Sequence, residues 1–329
     1  MAFQKNQFRA TLTSWYHANG RLLPWRQTRD PYAILVSEFM LQQTQVAAVI
    51  PYYNEWLRRF PDFAALARAP ENDILHAWQG LGYYARARNL HAVAKTVQHR
   101  HEGRFPRNLA AISALPGVGR YTANAVATFA FDEPVPIVET NTARVLARLF
   151  DFHGPIDRVA GREELWKRAR TLVPKYSARI YNSALVDLGA LICSPRQPKC
   201  AICPVKKFCR AKDPETLPNK KARPPTLRLT EHHVFIATQK TILLQQADHR
   251  WRGMWILPPL QGRSANQRPV YQSIFPFTNH RVALNVYALR RKKIDNRSQR
   301  WIRVDSLDSI PVPSPHRRAI AALVSKRPR

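Results

Sequence analysis

Apolar positions recur at helical spacing through the first two thirds of the chain. Val46, Val49, Ile50, Tyr53, Trp56, Leu57 and Phe60 fall three and four apart, as one buried helix face requires. Ahead of them, Asp30-Pro31 has the form of an N-cap followed by proline at the first helical position, where a missing N–H leaves no bond unmade. Further helices are predicted near 3–16, 83–101, 120–131, 141–150, 161–172 and 178–191, and no sheet before residue 230. Beyond that point the period shortens. VFIAT, TILLQQ and RVALNVYAL read as strands rich in branched residues, with a late helix around His316 to Val324. Between the two regimes, DPETLPNKKARPPTLRLT (Asp213 to Thr230) is rich in Pro and Lys and carries neither period, as an extended linker does. The expected organisation is a mainly α domain over 1–212, a basic linker over 213–230 and a small α+β domain over 231–329. There is no internal repeat or low-complexity tract.

Charge changes the picture more than composition does. Lys and Arg number 52 against 22 Asp and Glu, a net charge of +30 on 329 residues. Residues 1–215 hold 30 basic and 17 acidic side chains and residues 216–329 hold 22 and 5, so the excess covers both parts. A mixed-sign surface would serve solubility; one this lopsided repels itself unless it meets a polyanion, and the partner expected is nucleic acid. No apolar run approaches the roughly 20 residues of a membrane span.

Two motifs carry chemistry. Cys193, Cys200, Cys203 and Cys209 form a C-x6-C-x2-C-x5-C run. Four thiolates so close suit zinc or an iron–sulfur cluster, with two disulfides as the alternative. MAFQKNQFRATLTSW has no apolar h-region or cleavage site, so the expected setting is the reducing cytoplasm, which favours metal over disulfide. The second motif is Leu115-Pro116-Gly117-Val118-Gly119, followed by a predicted helix from Arg120. Glycines let the backbone turn tightly and approach a phosphate, while the helix start aims free N–H groups at the anion. A plain helix–helix turn with a capping glycine would also read this way.

Together these pieces resemble the helix-hairpin-helix DNA glycosylases with an iron–sulfur loop, and within them the MutY-type adenine glycosylases. The resemblance rests on Leu23 to Tyr53, WQGLGYYARARNLH (Trp78 to His91), LPGVGRYTANAVA (Leu115 to Ala127) and Tyr181 to Cys209, and covers nearly all of residues 1–212. It implies a [4Fe–4S] cluster on the four cysteines, Lys199, Lys206 and Lys207 facing DNA phosphates, and a monovalent cation at the hairpin. It also implies a monomer, nucleoid-associated and of bacterial type, that binds double-stranded DNA and flips one nucleotide from the stack. Leu115, Gly117, Val118, Gly119 and Arg120 would hold the DNA backbone.

Removing a base by hydrolysis needs a proton on the leaving base and negative charge beside a cationic sugar, hence two carboxylates in different protonation states. Glu38, amid the apolar neighbours of VSEFMLQQT, suits the acid, and the resemblance assigns it that role. For the second carboxylate the family has Asp in a segment V-D-G-N-V. This chain reads Val138-Glu139-Thr140-Asn141-Thr142, which keeps the carboxylate but lengthens it by one methylene. Asn141 matches the residue that helps place it. Endonuclease III relatives carry a Schiff-base lysine where this chain has Tyr121, so lyase activity is not expected.

By position, Gln43 and Tyr83 match residues that enter the base stack, Trp25 and Arg26 the wall of the base pocket, and Asp187 a family Glu near the base. WRGMWILP (Trp251 to Pro258) and Phe277-Thr278-Asn279-His280-Arg281 fall where the family's Nudix-like module has a strand and an F-S-H loop that reads 8-oxoguanine. Here Thr278 replaces the Ser and Asn279 aligns with the His. A Nudix hydrolase is not expected, because the last glutamate of the chain is Glu231. The expected function is monofunctional removal of adenine opposite 8-oxoguanine or guanine. The alternatives are a thymine·guanine glycosylase and a weakly catalytic lesion-binding protein that lost activity through Glu139.

Overall fold

The structure is a computed structural model that describes residues 3–222, 224–260, 268–289 and 298–325. Among the described residues eleven α-helices lead: α1 (Lys5–Asn19), α2 (Pro31–Leu41), α3 (Val46–Arg59), α4 (Phe63–Arg68), α5 (Glu71–Ala77), α6 (Ala85–Arg100), α7 (Leu109–Ser113), α8 (Arg120–Phe131), α9 (Thr140–Leu149), α10 (Val159–Leu172) and α11 (Ala178–Asp187). Six strands follow, β1 (Leu227–Phe235), β2 (Thr241–Gln246), β3 (Trp255–Ile256), β4 (Tyr271–Phe277), β5 (His280–Ala288) and β6 (Gln299–Arg303), and then α12 (Ser314–Ser325). The chain falls into two compact units, Met1–Ala64 with Ala92–Ala222, and Ala65–His91 with Arg223–Arg329.

The first unit is the helical one that the periodicity predicts. Asp30 caps α2 by accepting from the backbone N–H of Tyr32 and Ala33, a bond pair that typically contributes about 1 kcal/mol. Nine residues of α2 are buried, including Glu38, because the helix packs between α3 and α8. The chain breaks between α2 and α3 at Gln43, whose φ of 58° turns it out to solvent. One core joins Phe8 and Leu12 of α1 to Leu146 of α9, Leu165 and Leu172 of α10, Tyr181 and Leu185 of α11, and Val205 and Phe208 of the cysteine loop. The end of α11 loosens into a π-helical turn, Leu188–Ile192, that delivers Cys193. Gly189 in this turn lies against the start of α9, where a Cβ would fall 2.8 Å from Cβ of Asn141.

The second unit holds two small sheets, ordered β1-β5-β4 and β3-β2-β6, with α12 against β4. β1 runs parallel to β5, and every other pairing is antiparallel. β1 begins at Leu227, inside the stretch read as linker. Its first four residues are exposed, so they carry no alternation of burial; pairing of Leu227 with His280 across some fifty residues makes them a strand. Earlier linker residues are also held, since Asn219 Nδ2 donates to the His153 carbonyl and the Lys221 N–H to Asp157 Oδ2.

The stretch Ala65–His91 lies with the second unit although it is helical and early in the chain. Gln79 Oε1 accepts from the Val312 N–H and from Arg317, His76 Nε2 meets the Asp308 carbonyl, and Arg88 donates to the Arg252 carbonyl. These bonds frame the turn that presents Tyr83, 44% exposed at a φ of 46°.

Candidate active site

A cleft of about 510 Å³ opens in the first unit, and it gathers residues from five separate segments. Trp25 and Arg26 come from the loop before α2, Glu38 and Gln43 from α2 and its end, Tyr121 from α8, Glu139 and Asn141 from the start of α9, and Arg179 and Ser183 from α11. Of the expected base-pocket and catalytic residues, only Asp187 is not on its wall.

Glu38 is 5% exposed. Burial pushes its carboxyl up to about 7; a hydrogen bond from Tyr121 pulls the other way, Glu139 nearby adds to the rise, and Arg26 opposes it. Tyr121, whose phenol is raised well above its ordinary value by burial and then by Glu38, therefore keeps its proton and donates a hydrogen bond to the Glu38 carboxyl. Glu139 differs. It is the N-cap of α9: Oε2 accepts from the Asn141 N–H at 2.8 Å and Oε1 from the Thr142 N–H at 3.0 Å. Burial raises its pKa, but these helix N–H groups favour the anion. One cleft thus holds two carboxyl groups in different settings, Glu38 buried beside a phenol and Glu139 folded onto a helix start, as acid–anion chemistry needs.

Behind the carboxylate, Asn141 Oδ1 accepts from Arg144, which also donates to the carbonyls of Gly189 and Cys193. Arg148, one turn on and 1% exposed, donates to Cys193 Sγ at 3.3 Å and to the carbonyls of Ser194 and Pro195. Neither arginine was singled out from the sequence. The available signal was two arginines four apart within the apolar run ARVLARL, charges that must find partners if the helix is buried.

Asp187 is fully buried under the cleft, bound by Arg21 through its N–H and guanidinium and by Arg26 at 2.6 and 2.8 Å. Burial alone would raise its carboxyl, but the two guanidiniums hold it below the usual range. Its role in this structure is to orient Arg26, which lines the cleft.

The hairpin lies between α7 and α8, with Gly117 at a φ of 70° that a side chain would strain, and Leu115 and Val118 buried beneath it. No side chain caps α8. Arg120 is less free than its motif suggests: its guanidinium bonds both oxygens of Glu163 and stacks on Trp166, 4.1 Å from the ring centre. Gln43, Tyr83 and Thr278, the residues expected to meet bases, all adopt left-handed backbone, and backbone strain of this kind gathers at functional sites. Thr278 and Asn279 form the tight turn between β4 and β5.

The four cysteines gather in one loop without a disulfide, with Lys199, Lys206 and Lys207 exposed around them. Burial, with a further push from the three other sulfurs, raises the Cys203 thiol to about 11. Among the described residues no group of three or more His, Cys, Asp or Glu converges on a point as a single metal ion requires. A zinc would draw four sulfurs to about 2.3 Å of one centre.

Helical architecture, hairpin and paired carboxylates define a base-excision protein of the helix-hairpin-helix class. Residues 36–171 match the family described as HhH-GPD superfamily base excision DNA repair protein. The chain is 43% identical over 205 residues to an adenine DNA glycosylase of Buchnera aphidicola subsp. Baizongia pistaciae, covering 62% of this chain and 58% of that one. A second adenine DNA glycosylase, from Buchnera aphidicola subsp. Schizaphis graminum, is 34% identical over 257 residues, covering 76% and 74%. The chain belongs to this family of MutY-type adenine DNA glycosylases. A solved thermostable thymine-DNA glycosylase superposes with a TM-score of 0.58 at 35% identity, covering 63% of this chain and 95% of the other.

Proposed function

We propose that the protein binds double-stranded DNA and removes adenine mispaired with 8-oxoguanine or guanine by hydrolysis of the N-glycosidic bond, leaving an intact abasic site. The observation that carries this is the cleft in which Glu38 is held up to about 7 beside the capped Glu139. Protonated Glu38 gives its proton to the departing adenine as the bond to the sugar breaks, and the Glu139 carboxylate stabilises the cationic sugar until water adds. Tyr121 holds the acid and has no amine with which to open the sugar. The α8 start and the hairpin backbone suit a DNA phosphate, and Trp25 and Arg26 suit the flipped base.

Cys193, Cys200, Cys203 and Cys209 would hold a [4Fe–4S] cluster, whose chemistry here is to crosslink the loop that presents Lys206 and Lys207. Iron and acid-labile sulfide near four each per chain, lost in Cys203→Ser together with DNA affinity, would support that assignment; zinc in their place would refute it. The β4–β5 turn at Thr278 and the mixed sheet behind it suit a Nudix-like module that reads the base opposite adenine.

A second reading, removal of thymine opposite guanine, is favoured by the likeness to the thymine-DNA glycosylase. Single-turnover release from duplexes carrying A opposite 8-oxoguanine, A opposite G and T opposite G, with scission scored before and after alkali, separates the two. Alkali-dependent cleavage at adenine supports the first, release of thymine the second, and tight binding without release a lesion-binding role.

A further inference from the structure

A capping box ordinarily places Ser or Thr at the N-cap and Glu three residues later. At the start of α9 the two residue types are exchanged. Glu139 is the cap and Thr142 the third helical residue; Thr142 Oγ1 accepts the Glu139 N–H at 2.8 Å while the Glu139 carboxylate accepts from the Asn141 and Thr142 N–H groups. Glutamate is not a favoured cap, because its extra rotatable bond must be frozen for both oxygens to fold back on the helix.

We propose that Thr142 is a positioning residue for Glu139, and that its reversed capping box is what lets a glutamate serve at this point of the cleft. The proposal rests on the reading of Glu139 as the anion of a glycosylase. Glu139, Thr140 and Asn141 line the cleft, whereas Thr142 does not and is fully buried behind them. Thr142 therefore acts through Glu139 and not on a substrate. Its hydroxyl accepts from the backbone N–H of Glu139 itself, which the Glu139 carboxylate does not engage, and so fixes the extended backbone, φ −121° and ψ −172°, from which the carboxylate reaches the helix. On the other side Arg144 holds Asn141 at 2.9 Å, so the carboxylate is braced from both flanks. The segment V-D-G-N-V, with a shorter acid, has valine where Thr142 stands. Aspartate caps a helix without such help.

A double-mutant cycle tests this, read as the single-turnover rate of adenine release opposite 8-oxoguanine. Thr142→Val should lower the rate about tenfold or more while duplex affinity holds, since an error near 1 Å in a reacting group costs up to about 10²-fold. Thr142→Ser should recover to within about threefold of wild type. In a Glu139→Asp background the same valine should cost less than about threefold, because aspartate does not need the box. A valine harmless beside Glu139, or equally costly in both backgrounds, overturns the proposal; Thr142→Ala replaces the valine if melting shows that it does not fold. Should wild type release no base from any duplex, the glycosylase reading falls, and the ¹³C carboxyl resonance of Glu139 still decides about the box. Thr142→Val must then shift that resonance, and an unmoved one would overturn the positioning role.

Discussion

Two helices begin twenty residues apart on opposite terms. α9 starts with the N–H groups of Glu139, Asn141 and Thr142 engaged, by a carboxylate in front and a hydroxyl behind. α8 starts at Gly119 with no side chain to cap it. Both ends carry the same partial positive charge of a helix N-terminus. The closed one stores its anion as part of the protein and so fixes a reagent in the cleft. The open one leaves its N–H groups without a side-chain cap, with Tyr121 one residue into the same helix. On the proposed function, the difference between the two starts separates holding the substrate from acting on it.

The largest expected effect tests the acting side. Glu38→Gln, which cannot give up a proton, should lower single-turnover release by about 10³-fold while leaving duplex affinity within about twofold. A residual rate near wild type would remove Glu38 from the chemistry. Next, Gly119→Asp would make α8 resemble α9. A Cβ at Gly119 meets nothing within 4 Å, so the substitution fits. It should stabilise the fold by roughly 0.3 kcal/mol in thermal melts and weaken DNA binding about tenfold or more, effects of opposite sign. Unchanged DNA affinity would mean that α8 does not meet phosphate.

pH sharpens the contrast. The Glu38 carboxyl, up to about 7, must be protonated to act, so release should fall about tenfold per pH unit above 7 and level off below it. Folding follows the same proton. Its contribution is fully present below the ordinary glutamate value of 4.5 and is lost as pH rises toward 7, at a total cost of about 3 kcal/mol. Glu38→Gln should accordingly melt higher than wild type at pH 8 and no higher at pH 4, and equal differences at both would contradict the assignment. The smallest effect is Gly117→Ala, which at a φ of 70° should cost about 1 kcal/mol of stability.

Local signals made half of this legible. The Asp30 cap, the helix spacing of α3 and the apolar setting of Glu38 are all encoded within a few residues of themselves, and the helical first unit follows from them. β4 escaped notice because Pro276 interrupts it and Ile274 faces solvent while Ser273 turns inward, so its alternation of burial is not matched by residue type. β1 begins earlier than its pattern because its first four residues are exposed and are made a strand by pairing with β5. At the site, the residue types at 38, 121 and 139 could be read. The brace through Arg144, and the way Arg21 and Arg26 bury Asp187, depend on segments brought together from up to 166 residues away. No window along the chain reports those.

The grouping of Ala65–His91 with the C-terminal residues also bears on how the protein can be cut. Leu75 lies 3.2 Å from where a side chain on Gly253 would begin, and Gln79 is bonded from Val312 and Arg317. A chain stopped at residue 222 would not be a catalytic unit relieved of an appendage. It would keep the turn that carries Tyr83 while losing Val312 and Arg317, which bond Gln79 beside that turn.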